Sequence, residues 1–216
     1  MTQLSSDTLA RYKQLRDPMV FLEHCVYTHD AVDRFNPVKK FPAHKPYFEP
    51  LVRLWEKEPL LDMVKSRRMT ISWLMIALYL HDTIVNTHRS NFFVSKKEED
   101  ADSLVERGLF IYDHIPRAIW PDELLPKPYR KQNHLRFAEI GSEISAVASG
   151  ADQLRQHTAS GILMDEFGFW ERGRETYTAS RPTIDGGGRV TIISTPPPQT
   201  MSAPSFFWQL SYDGLN

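Results

Sequence analysis

Residues 161–166, Gly-Ile-Leu-Met-Asp-Glu, constrain this chain more than any other segment. A short unbroken apolar run is the pattern of a strand buried on both faces, as in parallel sheets covered by helices. Two adjacent carboxylates, Asp165 and Glu166, close the run. They fall where open α/β sheets place ligands, just beyond the strand carboxyl ends. An ordinary strand with an acidic exposed end reads the same way, so the deciding feature is a phosphate-binding loop upstream.

The surrounding pattern supports a mainly parallel, doubly wound sheet. Residues 60–64, 91–95 and 190–194 read as further strands, and 137–141 and 144–148 as a short strand pair. Helical spacing marks residues 71–85 and 96–113, a helix from Phe169, a helix continuing from Leu51, and two short helices before Asp33 interrupted at Asp17-Pro18. Strands alternating with helices predict one α/β domain, which suits 216 residues with 41% hydrophobic and 25% charged composition. Gly186 to Gly188 is expected to be a turn, because no helix follows to make it a phosphate cradle. The turn-rich residues after Pro198 show no closing element, which suggests a longer parent protein.

Several classes are excluded or left without support. The net charge of −1 gives no overall attraction to nucleic acid or membrane, although a local basic face is compatible with it. The single cysteine, Cys25, precludes an internal disulfide and suits a reducing compartment. The polar, charged N-terminus is not a signal peptide, and the most apolar run, residues 71–80, is too short to span a bilayer. A cytoplasmic protein is expected. His24, Cys25 and His29 lack the second ligand pair that a zinc site needs.

Between the strand at 60–64 and the helix at 71–85 lies the basic loop Lys65-Ser66-Arg67-Arg68-Met69-Thr70-Ile71-Ser72. On the Walker A template, G-x-x-x-x-G-K-[ST], Lys65 and Thr70 take the glycine positions, Ile71 the lysine position and Ser72 that of the metal-binding hydroxyl. Judged strictly, the motif fails. Its context, strand then loop then helix N-terminus, is nevertheless that of an anion cradle. Lys65, at the other end of the loop, is long enough to reach back over the phosphates. In this frame Asp165-Glu166 is a Walker B pair, with Asp165 helping to hold Mg²⁺ and Glu166 orienting the attacking water.

These residues resemble the ATPase domain of large terminase subunits, the motors that package DNA into viral capsids. Ser66 to Ser72 falls on the family's S-R-Q-x-G-K-[ST] loop with departures at Gly and Lys, and a lysine at the front of the loop, as Lys65 is here, is itself a family variant. The resemblance runs from about Leu60 to Pro196. It implies a P-loop NTPase of ASCE type, with a mainly parallel central sheet flanked by helices, that binds ATP through Lys65, Ser66, Arg67, Arg68, Met69, Thr70, Ile71 and Ser72. It implies Mg²⁺ on Ser72 and Asp165, and Glu166 and Lys65 as catalytic groups. Arg155, eleven residues before Glu166, is expected to enter a neighbouring subunit's site. Ser194 and Thr195 match the coupling motif near the γ-phosphate. Tyr47, in an aromatic segment without the family's glutamine, is a candidate to stack on adenine, although a packing role suits it better. Of the two loop arginines, Arg67 matches the recurrent family arginine.

The implied organisation is an N-terminal helical, adenine-side region (1–50), a P-loop ATPase core (51–200), and a tail or start of a linker to a missing nuclease domain (201–216). The implied activity is Mg²⁺-dependent ATP hydrolysis coupled to translocation of double-stranded DNA into a procapsid. The implied partners are DNA, a portal protein, a small terminase subunit and further copies in a homo-oligomeric ring, without membrane, in the host cell cytoplasm at the procapsid portal. The alternatives are a non-catalytic nucleotide-binding or DNA-clamp module, which has no need of Glu166, and a helicase-like translocase, for which no second motor domain is visible.

Overall fold

The computed structural model describes residues 10, 12–150, 154, 158–196 and 205–213. Asp17-Pro18 opens a helix rather than merely interrupting one: the Asp17 carboxylate accepts a hydrogen bond from Met19 N at 2.7 Å, and Pro18 occupies the first turn of α1 (Pro18–Cys25). A small antiparallel hairpin follows, β1 (Tyr27–His29) and β2 (Val38–Lys40), and then α2 (Phe48–Lys57). The hairpin was not anticipated from sequence.

The domain proper is a seven-stranded sheet. In chain order it contains β3 (Leu60–Val64), then α3 (Ile71–Val85), β4 (Ser90–Ser95) and α4 (Glu98–Asp113). The short β5 (Tyr129–Lys131), β6 (His134–Phe137) and β7 (Ser142–Ala148) follow. The sheet is completed by β8 (Gly161–Asp165), α5 (Gly173–Asp185) and β9 (Arg189–Ser194), with α6 (Phe206–Asp213) after it. The spatial order is β3-β9-β8-β4-β7-β6-β5. The first five strands in that order are parallel, and β6 and β5 are antiparallel additions at one edge. The expected parallel α/β sheet with flanking helices is therefore present.

Side chains alternate across the strands as the pleat requires. Phe93, Leu163 and Ile193 point into one core with residues of α1 to α4, whereas Phe92, Val94, Ile162, Met164, Val190 and Ile192 join the other with α5 and α6. Within the first core the Tyr79 hydroxyl lies 2.8 Å from Ile162 O and 3.0 Å from Thr191 Oγ1. These bonds tie α3 to both β8 and β9. The segment after Pro198 also contributes to the core, contrary to the expectation of no closing element: Phe207 and Leu210 of α6 are buried against the second cluster.

Two local readings shift. Residues 138–141 form a turn, with Gly141 at φ 67°, and the strand lies earlier, at 134–137, antiparallel to β7. The helix expected from Phe169 begins at Gly173, because Phe167–Phe169 first form a 3-10 turn whose Phe167 and Trp170 are buried. The 186–188 turn is present, with Gly187 at φ 84°. Cys25 is buried, and desolvation pushes its thiol up to about 12. Among the described residues no cluster of His, Cys, Asp or Glu is able to hold a metal alone, and no helix is long and apolar enough to cross a membrane.

Gly161 starts β8 where no side chain fits: an added Cβ would overlap Asn91 Oδ1 and lie 2.5 Å from the Tyr79 ring. Overpacking of this kind costs about 1–3 kcal/mol. Gly161→Ala should lower the unfolding free energy measured by denaturant titration by that amount, and an unchanged unfolding free energy would show that the α3–β8 junction is looser than described.

Candidate functional site

All five parallel strands end on the same edge, which is where β3, β8 and β9 deliver the predicted residues. The sheet itself places Lys65: its backbone N–H donates to Ser194 O at 2.9 Å, continuing the β3–β9 pairing one step past Val64. The Lys65 ammonium then crosses over β9 to reach the end of β8. It lies 2.7 Å from Glu166 Oε1 and 3.8 Å from Asp165 Oδ1. Its side chain is 9% exposed and that of Asp165 8%, against 43% for Glu166. From the other side of the loop, Ser72 Oγ donates to Asp165 Oδ1 at 3.2 Å. Four residues spread over a hundred positions thus form one cluster.

Asp165 and Glu166 differ in their surroundings. Burial pushes the Asp165 carboxyl above its usual range, against the opposing pull of Lys65. Burial acts on Glu166 in the same sense, but the Lys65 hydrogen bond and charge, with two hydrogen bonds from Thr195, outweigh it and hold Glu166 low. Those bonds run from Thr195 N and Thr195 Oγ1 to Glu166 Oε2 at 3.2 and 3.1 Å. Glu166 itself is left-handed, φ 52° and ψ 38°, which turns the chain out of β8 into the 3-10 turn. The two residues of the expected coupling strand therefore separate. Thr195 touches the candidate water-orienting acid. Ser194 is buried, its hydroxyl accepting from Gly168 N at 2.9 Å and donating to Thr195 O at 2.8 Å.

The loop between β3 and α3 keeps a glycine-type path without glycines. Arg68 and Thr70 are both at φ 65°, and Thr70 stands at the template's second glycine. A β-branched residue in this region is a genuine outlier, and such strain is concentrated at ligand-binding turns. Ile71, at the usual lysine position, is 4% exposed and belongs to the core. No lysine side chain is therefore available there, and Lys65 is the loop cation that reaches the acids.

A cavity of about 670 Å³ opens over the loop. It is lined by Lys65, Ser66, Arg68, Met69, Thr70, Ile71 and Ser72, by Trp73 and Arg107, and by the β1–β2 hairpin. Arg68, not Arg67, is the loop arginine on its wall. Tyr47 lies on the far side, in a separate apolar recess of about 460 Å³ with Leu51, Met63 and Met69, and its hydroxyl donates to Met69 O at 3.3 Å. Tyr47 thus braces the loop from behind. Arg155 falls outside the described residues. Sequence reasoning missed the hairpin wall and Arg107; the only signal for Arg107 was a cation on the α4 stripe.

These residues suit a nucleotide with Mg²⁺. Ser72 and Asp165 present a hydroxyl and a carboxylate oxygen to one point, the kind of oxygen pair that Mg²⁺ uses together with substrate phosphates. The N-terminus of α3, capped by no side chain, faces the cavity and supplies free N–H groups for an anion.

Because Thr70 makes no side-chain cap, Thr70→Gly removes strain without removing a hydrogen bond. Left-handed geometry costs an L-residue about 1–2 kcal/mol, and the extra freedom of glycine in the unfolded chain returns part of that. Thr70→Gly should therefore leave the melting temperature unchanged or raise it by a few degrees. A clear loss of stability would show that the Thr70 methyl or hydroxyl makes a stabilising contact.

No protein-family model matches the sequence, and no curated protein matches it. Solved structures do. The Thermus phage P74-26 large terminase ATPase domain is 14% identical with a TM-score of 0.51, over 69% of this chain and 62% of that one. The HK97 bacteriophage large terminase is 11% identical with a TM-score of 0.57, over 85% of this chain and 38% of that one. The chain therefore spans less than two thirds of either neighbour. At this identity the likeness concerns the fold, and the chain has the fold of phage large-terminase ATPase domains.

Proposed function

We propose that this chain is the ATPase motor domain of a viral large terminase, coupling Mg²⁺-dependent ATP hydrolysis to movement of double-stranded DNA into a procapsid. The observation that carries the reading is the convergence of Lys65 and Ser72, from the two ends of one loop, on the adjacent acids Asp165 and Glu166. A strand end acidic only for solubility has no reason to draw in a nearly buried lysine and a helix N-terminal serine.

Each residue has a distinct task. Ser72 and Asp165 would hold the metal, which would supply charge neutralisation on the phosphates and favour ionised Asp165. Lys65 lends positive charge to the terminal phosphates from the front of the loop. Glu166, kept ionised by Lys65 and Thr195, accepts the proton of the attacking water. Thr195 fixes the carboxylate through two hydrogen bonds, so movement at the end of β9 changes where Glu166 points. Hydrolysis and motion are thereby linked at one residue pair.

In this reading Arg155 completes a neighbour's site in a homo-oligomeric ring, and a portal protein, a small terminase subunit and DNA are its partners in the host cytoplasm. Residues 1–50, 51–200 and 201–216 then divide into nucleotide-side region, motor core and tail.

Phosphate release from Mg·ATP, measured with and without double-stranded DNA, tests the assignment. Wild type should turn over slowly alone and faster with DNA. Glu166→Gln should lose about 10²–10⁴-fold in turnover, the range for removing a general base, while still binding ATP. Lys65→Ala should weaken both binding and turnover. Turnover of Glu166→Gln equal to wild type would overturn the mechanism.

A further inference from the structure

The cavity over the loop contains a cation with no assigned task. Arg107 projects from α4 onto the same wall as Lys65, Thr70 and Ser72. It is half-buried and, among the described residues, has no carboxylate within ion-pairing distance. Its guanidinium instead rests over the ring of Trp73, 5.8 Å from the centroid, beside Ser72. Its charge is felt by Asp165. A guanidinium over an aromatic face is held more weakly than one in a charged hydrogen bond, so it is free to exchange that contact for a stronger one.

The charge balance of the site gives it one. Lys65 is already engaged by Glu166 and Asp165, and the position that carries lysine in a standard phosphate loop holds the buried Ile71. Lys65 must therefore divide its charge between two acids and any phosphate, which leaves the cluster short of positive charge for a polyphosphate. Polyphosphate arriving there needs a cation that is near, solvent-accessible and uncommitted. Arg68 and Lys40 also line the cavity outside any ion pair among the described residues, but of the three Arg107 is the one whose charge bears on Asp165, and its planar fork suits phosphate oxygens.

We propose that Arg107 is a phosphate-binding residue of its own subunit, parked on Trp73 and transferring to the terminal phosphates of a bound nucleoside triphosphate. The inference deepens the nucleotide-hydrolase reading and rests on it. The terminal phosphates are singled out because Arg107 lines the cavity together with Ser72 and its charge bears on Asp165, the two residues that would hold the metal. Arg107 should accordingly favour a triphosphate over a diphosphate.

The test is equilibrium binding of Mg·AMP-PNP and of Mg·ADP to the full chain, with melting temperatures recorded alongside. Arg107→Ala should weaken Mg·AMP-PNP by about 10–100-fold, the span expected for losing a charged hydrogen bond, and Mg·ADP by much less. Arg107→Lys should recover part of the loss. Its melting temperature and that of Arg107→Ala should stay near wild type, since no ion pair is broken. Equal affinity of wild type and Arg107→Ala for Mg·AMP-PNP would overturn the proposal. So would an equal loss for both nucleotides with a lowered melting temperature, which would make Arg107 a prop for Trp73. If folded wild type binds neither nucleotide, the hydrolase reading falls and this inference with it.

Discussion

Two adjacent carboxylates at the end of a buried strand need a cation, and the fold is arranged so that Lys65 is that cation. Desolvation alone raises Asp165 and opposes ionisation of Glu166. With one partner removed, the remaining buried charge is left uncompensated, a situation far more costly than having no pair at all. The geometry of the sheet makes the pairing possible: β9 lies between β3 and β8, so the lysine leaving β3 spans one strand to reach the acids leaving β8. The backbone bond from Lys65 to Ser194 fixes the origin of that reach. Strand order, not proximity in sequence, assembles the cluster.

The same arrangement explains how a loop without glycine keeps the backbone path of a phosphate loop. What the template glycines contribute is a backbone path with positive φ and open N–H groups. Here Arg68 and Thr70 adopt that path themselves. They are over-determined by their surroundings: Ile71 is packed in the core, Tyr47 grips Met69 O from behind, and Tyr79 pins α3 to β8 and β9. The strain in the loop is sustained by packing beneath and behind it. Replacing the usual lysine with Ile71 adds to that packing, while the positive charge moves to the front of the loop.

Much of this was legible because it lies in patterns that one strand or helix enforces locally. The 161–165 run, the helix at 71–85 and the parallel α/β class follow from apolar periodicity, and the loop's place from the strand before and helix after it. Elements set by tertiary contacts were not legible. The β1–β2 hairpin has strands of three residues without a buried alternating face, and it is held by Lys39 bridging Asp30 and Asp33 at its turn. The delayed start of α5 depends on Phe167 and Trp170 finding the second core, which no helical spacing reveals. Thr195 is placed in sequence only by its match to the coupling motif at a strand end. Its contact with Glu166 arises only from the parallel pairing of β8 and β9.

Arg107 illustrates the same limit from the side of chemistry. On α4 it stands among ordinary surface charges, such as Glu98, Glu99 and Asp100 in the first turn. The sheet crossover carries α4 beside α3, and that neighbourhood sets Arg107 over Trp73 at the cavity wall. An aromatic face holds a guanidinium without neutralising it, whereas a carboxylate would have cancelled its charge. The site therefore holds cations in different conditions, Lys65 committed to the acids and Arg107 outside any ion pair among the described residues. That division matters because a polyphosphate brings charge of the same sign as Asp165 and Glu166. If Lys65 alone had to serve both, binding substrate would strip Glu166 of the partner that keeps it ionised. In the proposed site a lightly held cation beside Lys65 would let the acid retain its lysine while phosphates are bound.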